Sequence, residues 1–248
     1  MIKGIEKFRE AFAGFEEQYV LIGGAACSLL FEDSGGSFRA TKDLDIVLII
    51  EALSEDFARR FWQFIQEGGY QINRRSDGTP RFYRFEKPEM REYPAMLELF
   101  TRRAVDWIDQ EAVLEPLPLG EDISSLSAII LNESYYQMVR QGSEQIEGVT
   151  VLGAKYLIPL KAKAWLDLSQ AQKERHIDKR DINKHKKDIV RLTTLLSAGR
   201  EWTLPEEVKK DMEQFLEEYI KTPIQPKDLG IRGITADQIV TRLREVYG

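Results

Sequence analysis

The sequence predicts an α/β (α+β) chain in which a small mixed sheet is flanked by helices and followed by a mainly helical second half. Two observations support this fold class. Short apolar runs at 19–22, 44–50 and 95–101 have the length of strands and are separated by segments with helical periodicity. From Leu157 onward, apolar residues recur almost entirely at helical spacing.

The first half alternates helices with strands. Ile5, Phe8, Phe12 and Phe15 recur at helical spacing, so the chain is expected to open with a helix. Leu44–Ile50 is apolar on both faces, which is typical of a buried central strand. The other predicted elements are a strand at 19–22, a helix at 25–31, a loop at 32–42, a helix that Ser54 caps and Gly68-Gly69 ends, a hairpin of 70–75 and 81–86 around a turn at 76–79, and a strand at 95–101.

A proline- and glycine-containing stretch at 115–120 marks the predicted boundary between a domain of residues 1–118 and a domain of residues 119–248. The second domain is predicted to be mainly helical. Its expected helices are one with Leu157, Leu160, Ala164 and Leu168 on one face, a charged one at 178–196, one that Pro205 starts, and a last one that Thr235 and Gln238 cap.

Composition excludes several classes of protein. The net charge of -6 excludes a generally basic nucleic-acid coat, although a local basic face stays possible. Cys27 is the single cysteine of the 248 residues, so the chain has no intrachain disulfide framework. The first residues lack the apolar core of a signal peptide, and no apolar run is long enough to span a bilayer. We therefore expect a cytoplasmic protein with no membrane partner.

Two carboxylates, Asp43 and Asp45, lie two residues apart at the start of the apolar strand at 44–50. Side chains at i and i+2 of a strand share a face, so these two would stand side by side. Mg²⁺ or Mn²⁺ relieves the repulsion of such a pair, and metals held in this way polarise phosphate oxygens in phosphoryl-transfer sites. The alternative is two solvated carboxylates at a strand start.

Gly23-Gly24 separates the strand at 19–22 from the helix at 25–31. Without side chains, the backbone N–H groups of this turn can approach a phosphate at the positive end of the helix. A tight strand-to-helix turn with no ligand is the alternative.

The stretch Leu21–Leu30, followed by Arg39-Ala40-Thr41-Lys42-Asp43-Leu44-Asp45-Ile46, resembles the DNA-polymerase-beta-like nucleotidyltransferases. Within that superfamily it is most similar to the AbiEii/AbiGii toxin group, which has a diglycine or Gly-Ser turn, then a variable helix and loop, and then Arg-x-Thr-x-Asp-x-Asp. The resemblance implies a nucleotidyltransferase fold and the transfer of a nucleoside monophosphate from an NTP. One departure is Gly24, which stands where the superfamily often has a serine, so no hydroxyl is available at that position.

The resemblance also implies roles for the surrounding residues. Gly23 and Gly24 would cradle phosphates, with Arg39 and Thr41 assisting, although Arg39 could equally cap the loop. Glu98, which alternates with Leu97 and Leu99, would be a third metal ligand or a general base, or else an exposed strand residue.

In the second half, the segment 157–164 resembles the helix that supplies a functional lysine in AbiEii-type proteins. Lys161 lies within the apolar stripe of that helix and is assigned as a triphosphate contact, the alternative being a snorkelling lysine. Asp188, on the same helix face as His185, would pair with Lys161 or orient the nucleotide. His185 is more often a packing residue than a base.

By the same resemblance, the protein would be the toxin of a toxin–antitoxin or phage-defence pair, with RNA (tRNA) or a protein as acceptor and a separate antitoxin as partner. Two alternatives stay open: a non-catalytic nucleotide-binding adaptor and a small-molecule, antibiotic-type nucleotidyltransferase. Basic residues that could hold RNA are concentrated in two places, between Lys173 and Arg191 on the charged helix and between Arg74 and Arg103 around the hairpin, although acids interleave with the first set.

Overall fold

The computed structural model describes residues 2–74, 80–102, 105–106, 113–114, 129–130, 132–174, 176–197, 202 and 204–248, without the side chains of 72–83, 105–106 and 113–114. The chain forms two compact units, Met1–Gly153 and Ala154–Gly248. The boundary predicted within 115–120 lies outside the described residues.

The first unit is an α/β unit built around one sheet. Its helices are α1 (Ile5–Ala11), α2 (Gly23–Asp33), α3 (Glu55–Gly68) and α4 (Glu133–Gln141). Its strands are β1 (Tyr19–Ile22), β2 (Asp43–Leu48), β3 (Gln71–Arg74), β4 (Pro80–Glu86), β5 (Met96–Phe100), β6 (Val105–Asp106), β7 (Val113–Leu114), β8 (Ser143–Ile146) and β9 (Val149–Leu152).

Seven of these strands form a mixed sheet in the order β3-β4-β5-β2-β1-β9-β8, and β6 pairs with β7. β2 runs parallel to β5 and β1 parallel to β9, whereas the other neighbours in the large sheet are antiparallel. The prediction of a mixed sheet accompanied by helices is confirmed at this level.

The apolar face of the sheet packs against α3. Phe85, Leu97 and Leu44 are register partners on β4, β5 and β2, so their side chains share one face. Phe85 meets the rings of Phe61 and Trp62 edge-on at centroid distances of 5.5 and 5.8 Å. Because side chains alternate along each strand, the residues on either side of this row point to the other face of the sheet.

The ends of α3 follow the sequence prediction. The Ser54 hydroxyl accepts a hydrogen bond from the backbone N–H of Phe57 at 3.2 Å, which satisfies one of the free donors of the first turn. Gly69 ends the helix with a left-handed φ of 63°.

A hairpin formed by β8 and β9 lies within the segment that the sequence assigned to the mainly helical domain. Its turn residues Glu147 and Gly148 both have positive φ, 49° and 78°, which matches the twist of a two-residue hairpin turn. Val151 pairs with Leu21, so the hairpin extends the sheet beside β1. The polar residues of β8 gave no strand-like apolar run, and the hairpin was missed for that reason.

The second unit is helical in its described part, as predicted. It contains α5 (Ala154–Ala171), α6 (Lys179–Thr193), α7 (Glu206–Lys221), a short 3₁₀ turn (Pro226–Leu229) and α8 (Ala236–Tyr247). The predicted capping box is present: Gln238 N donates to the Thr235 hydroxyl, and Thr235 N donates to the Gln238 side chain.

Lys186 is buried, although the charged residues around it in the sequence indicate a basic helix face. Its ammonium donates to the backbone oxygen of Thr222 at 2.8 Å and lies over the rings of Trp165 and Tyr219. Burial lowers the pKa of Lys186, with the charge of Glu218 opposing that shift. The lysine thus binds a carbonyl at the end of α7, and it is not part of a solvated face.

Candidate functional site

Asp43 and Asp45 both lie on β2, where the backbone alternation places them on one face of the sheet. Both are half-buried, whereas Leu44 and Ile46 between and after them are fully buried. The prediction that the two carboxylates share a face is therefore consistent with β2, which contains both residues.

Glu98 of β5 is the register partner of Asp45 across a parallel pair of strands. The two carboxylates therefore lie side by side on the face opposite Leu44 and Leu97. Glu98 is buried, at 6% exposure, so it is not the exposed strand residue of the alternative reading. Its Oε1 accepts a hydrogen bond from Arg84 Nη2 at 2.9 Å.

Arg84 was missed as a site residue because the sequence grouped it with the arginines of the hairpin. On β4 it is the antiparallel register partner of Glu98. That pairing depends on which residues oppose each other across the strands, which the hairpin pattern alone does not determine. The burial of Glu98, which requires a cation beside it, is known only from the structure.

Gly23 starts α2 directly after β1 and lies against Asp45. Its φ of 67° belongs to the left-handed region that favours glycine. A Cβ at this position would lie 1.8 Å from Oδ2 of Asp45. The carboxylate thus occupies the space that the missing side chain leaves, at the positive end of an eleven-residue helix.

Gly24 lies against Thr41 and Arg39. A Cβ at position 24 would be 3.0 Å from the Thr41 hydroxyl oxygen and 3.5 Å from a guanidinium nitrogen of Arg39. A serine at position 24 would therefore compete with Thr41 for space. Gly24 has no hydroxyl where the superfamily often has that of a serine, but the Thr41 hydroxyl lies next to this position.

The loop before β2 is tied down on both sides of Thr41. Ser28 on α2 donates to the backbone oxygen of Arg39 at 3.4 Å, and Ala95 N donates to the oxygen of Lys42 at 2.8 Å. The Arg39 side chain is exposed and reaches back to Gly24. The first unit thus brings together Gly23, Gly24, Arg39, Thr41, Asp43, Asp45 and Glu98.

Gly23→Ala is expected to destabilise the protein and to impair the site. The left-handed backbone costs an alanine about 1–2 kcal/mol, and displacement of the Asp45 carboxylate adds about 1–3 kcal/mol. Urea denaturation of the full chain measures the total loss. Mn²⁺ binding, followed by the electron paramagnetic resonance signal of free Mn²⁺, should weaken in parallel.

Gly35→Ala is the matched control. Gly35 also has a positive φ, 75°, but a Cβ there would meet nothing within 4 Å. This variant should show the backbone cost alone and unchanged Mn²⁺ binding. Equal losses of stability in the two variants would mean that the contact with Asp45 carries no energetic weight.

The carboxylates have the chemistry of a divalent cation site. Oxygen donors are those that Mg²⁺ and Mn²⁺ prefer, and Asp43, Asp45 and Glu98 supply three carboxylates on one face. Within the described part of the chain, however, no cluster of three or more His, Cys, Asp or Glu side chains is arranged to hold a metal ion.

Lys161 and Asp188 form a buried ion pair within the second unit. Lys161 Nζ on α5 donates to Asp188 Oδ2 on α6 at 2.9 Å, and the two residues are 5% and 1% exposed. Of the two roles expected for Asp188, pairing with Lys161 or orienting a nucleotide, the pair is present. His185, one turn before Asp188, is also buried.

The basic residues of the charged helix are interleaved with acids. Arg180 pairs with Asp178, and Lys184 pairs with Asp181. Around the hairpin, Arg102 pairs with Glu133, whereas the side chains of Arg74, Arg75, Arg81 and Arg103 lie outside the described residues. Among the described helices, none combines the length and apolarity needed to cross a membrane.

The comparisons with known proteins identify no family. No protein-family model matches the chain, and searches of curated proteins and of solved structures likewise found no match.

Proposed function

We propose that the protein is a metal-dependent nucleotidyltransferase of the DNA-polymerase-beta-like kind, which moves a nucleoside monophosphate from an NTP to an acceptor. The observation that carries the proposal is the register of β2 and β5, which sets Glu98 beside Asp45 on the face that Asp43 shares. The contact of Asp45 with Gly23 adds a glycine-lined helix terminus to this group of carboxylates.

Each residue has a role in the proposed reaction. Asp43 and Asp45 would hold Mg²⁺, which would supply charge stabilisation on the phosphate oxygens. The N–H groups of Gly23 and Gly24 and the Thr41 hydroxyl donate to the triphosphate, and Arg39 neutralises part of its charge. Glu98 acts as a further metal ligand or accepts the proton of the acceptor hydroxyl.

In the transfer step, the acceptor oxygen forms a bond to the α-phosphorus while the bond from that phosphorus to the pyrophosphate oxygen breaks. Pyrophosphate leaves, and the acceptor carries the nucleoside monophosphate. Lys161 takes no step in this scheme, since its ammonium is already balanced by Asp188 inside the second unit.

The acceptor class is proposed from the resemblance alone, as RNA (tRNA) or a protein, and so is the role of toxin with a separate antitoxin. The experiment is incubation of the full chain with each α-labelled NTP, Mg²⁺ and total cellular RNA, with Asp43→Ala/Asp45→Ala as the control. Label on RNA with the wild type alone would support an RNA nucleotidyltransferase and identify its base. The same incubation is repeated with cellular protein and with an aminoglycoside in place of RNA. If none of the three acceptors becomes labelled, nucleotide transfer to those acceptors is excluded.

One observation favours a second candidate, a non-catalytic nucleotide-binding adaptor on the same fold. Arg84 binds the carboxylate of Glu98, and a permanently occupied third carboxylate would leave only two for metal chemistry. Such an adaptor would bind Mg²⁺–NTP but release no pyrophosphate. A pyrophosphate assay beside a binding titration separates the two functions.

A further inference from the structure

The segment 38–41, which we call the strap, lies along one face of α2. Gly24, Ser28 and Phe31 occupy positions i, i+4 and i+7 of this helix, so they share that face. The strap meets all three of them and runs antiparallel to the helix. It therefore connects the C-terminal half of α2 with the first turn of the same helix.

The first two contacts hold the strap in place. The rings of Phe31 and Phe38 have their centroids 5.3 Å apart, a distance at which aromatic pairs attract each other. One residue later, the backbone oxygen of Arg39 accepts a hydrogen bond from the Ser28 hydroxyl at 3.4 Å. Phe38 is half-buried as the anchor of the strap, whereas the residues on either side of it are exposed.

The Arg39 side chain lies between the ring of Phe38 and the start of α2. Its Cζ is 5.6 Å from the centroid of that ring, and one guanidinium nitrogen would be 3.5 Å from a Cβ at Gly24. An exposed arginine samples many rotamers, and fixing it costs conformational entropy. The attraction between the cation and the ring favours the rotamers in which the guanidinium stays beside the helix start.

We propose that Phe38 is a positioning residue: its ring holds the Arg39 guanidinium at the start of α2 before a nucleoside triphosphate binds. This inference rests on the proposed function, in which Arg39 neutralises part of the triphosphate charge at Gly23 and Gly24. The affinity for the nucleotide is scaled by the fraction of molecules in which the arginine is already in place. A ring that raises this fraction therefore tightens binding without touching the nucleotide.

Removal of the ring should weaken nucleotide binding. Phe38→Leu and Phe38→Met keep an apolar side chain against Phe31 but remove the π face, so the affinity for the Mg²⁺ complex of an NTP should fall about threefold. Phe38→Tyr keeps the ring and should bind like the wild type. If Phe38 did no more than pack against Phe31, the leucine and methionine variants would bind like the wild type too.

A double-mutant cycle separates an effect through Arg39 from an effect of the ring by itself. Arg39→Gln removes the guanidinium and should weaken NTP binding on its own. In that background Phe38→Leu should cause no further loss, because the ring has no cation to hold.

The experiment is isothermal titration calorimetry of the full chain with ATP, GTP, CTP and UTP in the presence of Mg²⁺. Circular dichroism establishes that each variant is folded. The matched control is Phe15→Leu, because Phe15 is also half-buried and its ring also packs against a helix phenylalanine, Phe57 at 5.8 Å, but it lies before β1 and outside the strap. NTP affinity should not change in that variant.

Unchanged NTP affinity in Phe38→Leu and Phe38→Met, or an equal loss in the wild-type and Arg39→Gln backgrounds, would overturn this inference and leave the proposed function intact. No binding of any of the four NTPs by the wild type would overturn both. If Phe38→Leu does not fold, Phe38→Met takes its place in the cycle.

Discussion

Asp43→Asn is expected to lower the rate of nucleotide transfer by about a thousandfold, which corresponds to the loss of several kcal/mol of metal-assisted transition-state stabilisation. The substitution replaces one carboxylate oxygen by an amide nitrogen and removes one negative charge from the pair that Asp43 forms with Asp45. The amide is a poorer ligand for Mg²⁺, and the shape of the side chain is retained.

The same substitution should leave the fold as stable as the wild type or slightly more so. Asp43 is half-buried on the carboxylate face of β2, and along a strand its i+2 neighbour Asp45 is about 7 Å away. The repulsion of two charges at that distance near the protein surface is about 1–2 kcal/mol, and Asp43→Asn relieves it. Loss of activity combined with retained stability is characteristic of a residue selected for function.

The measurement pairs a transfer assay with α-labelled NTP and a urea denaturation curve of each protein. Asp56→Asn is the matched control, because Asp56 lies on α3 in the same unit and forms an exposed pair with Arg59. Both activity and stability should be close to the wild type in that control. A transfer rate in Asp43→Asn within tenfold of the wild type would rule out the mechanism proposed for the carboxylates.

The parts of the fold that the sequence predicts well are those governed by local pattern. The run at Tyr19–Ile22 and the capped helix that ends at Gly68 form where apolar periodicity, Ser54 and Gly69 place them. The hairpin of β8 and β9 was missed because Ser143–Ile146 is mostly polar and is exposed in three of its four residues. Its strand character comes from pairing with Val149–Leu152 across a two-residue turn, and not from an apolar alternation of its own.

The candidate site shows the same division between local and long-range information. The spacing of Asp43 and Asp45 fixes their common face, because alternation along a strand is local. Alternation along β5 also predicts that Glu98 faces away from Leu97 and Leu99. Its position beside Asp45, however, depends on the register between β2 and β5. Arg84 could not be found in this way, since only the pairing of β4 with β5 sets it opposite Glu98.

Burial of charged residues in the helical unit was only partly predictable. Lys161 lies within an apolar stripe, so its burial follows from the spacing of α5. Lys186 lies in a run of charged residues, and its burial depends on Trp165 of α5 and Tyr219 of α7. The burial of Lys186 therefore depends on contacts between helices, which the sequence of its own helix does not show.

Breaking the buried pair of Lys161 and Asp188 is expected to destabilise the helical unit strongly. Lys161→Met or Asp188→Leu removes one member of this buried ion pair, at a cost of about 3–5 kcal/mol. The two residues are 5% and 1% exposed, so solvent cannot replace the lost partner. Urea denaturation, together with hydrogen exchange of α5 and α6, would measure the loss and locate it in the second unit.

The double variant Lys161→Met/Asp188→Leu tests whether the pair or the individual side chains matter. Removing both charges together avoids the unpaired charge, so much of the lost stability should return, and the two substitutions should be strongly non-additive. Additive losses would mean that each residue contributes through its own packing and that the ion pair has little weight.

Lys163→Met provides the control on the same helix. Lys163 lies 3.1 Å from Asp167 and 3.5 Å from Asp211, but its side chain is 29% exposed and that of Asp167 is 36% exposed. Burial alone would lower the pKa of Lys163, and the two acids together raise it, so its charge is well compensated. Asp211 is 14% exposed, but water reaches Lys163 and Asp167, so the substitution should cost about 1–2 kcal/mol, less than the loss of Lys161. The contrast between two lysines two positions apart would show that depth of burial determines what each ion pair contributes to the helical unit.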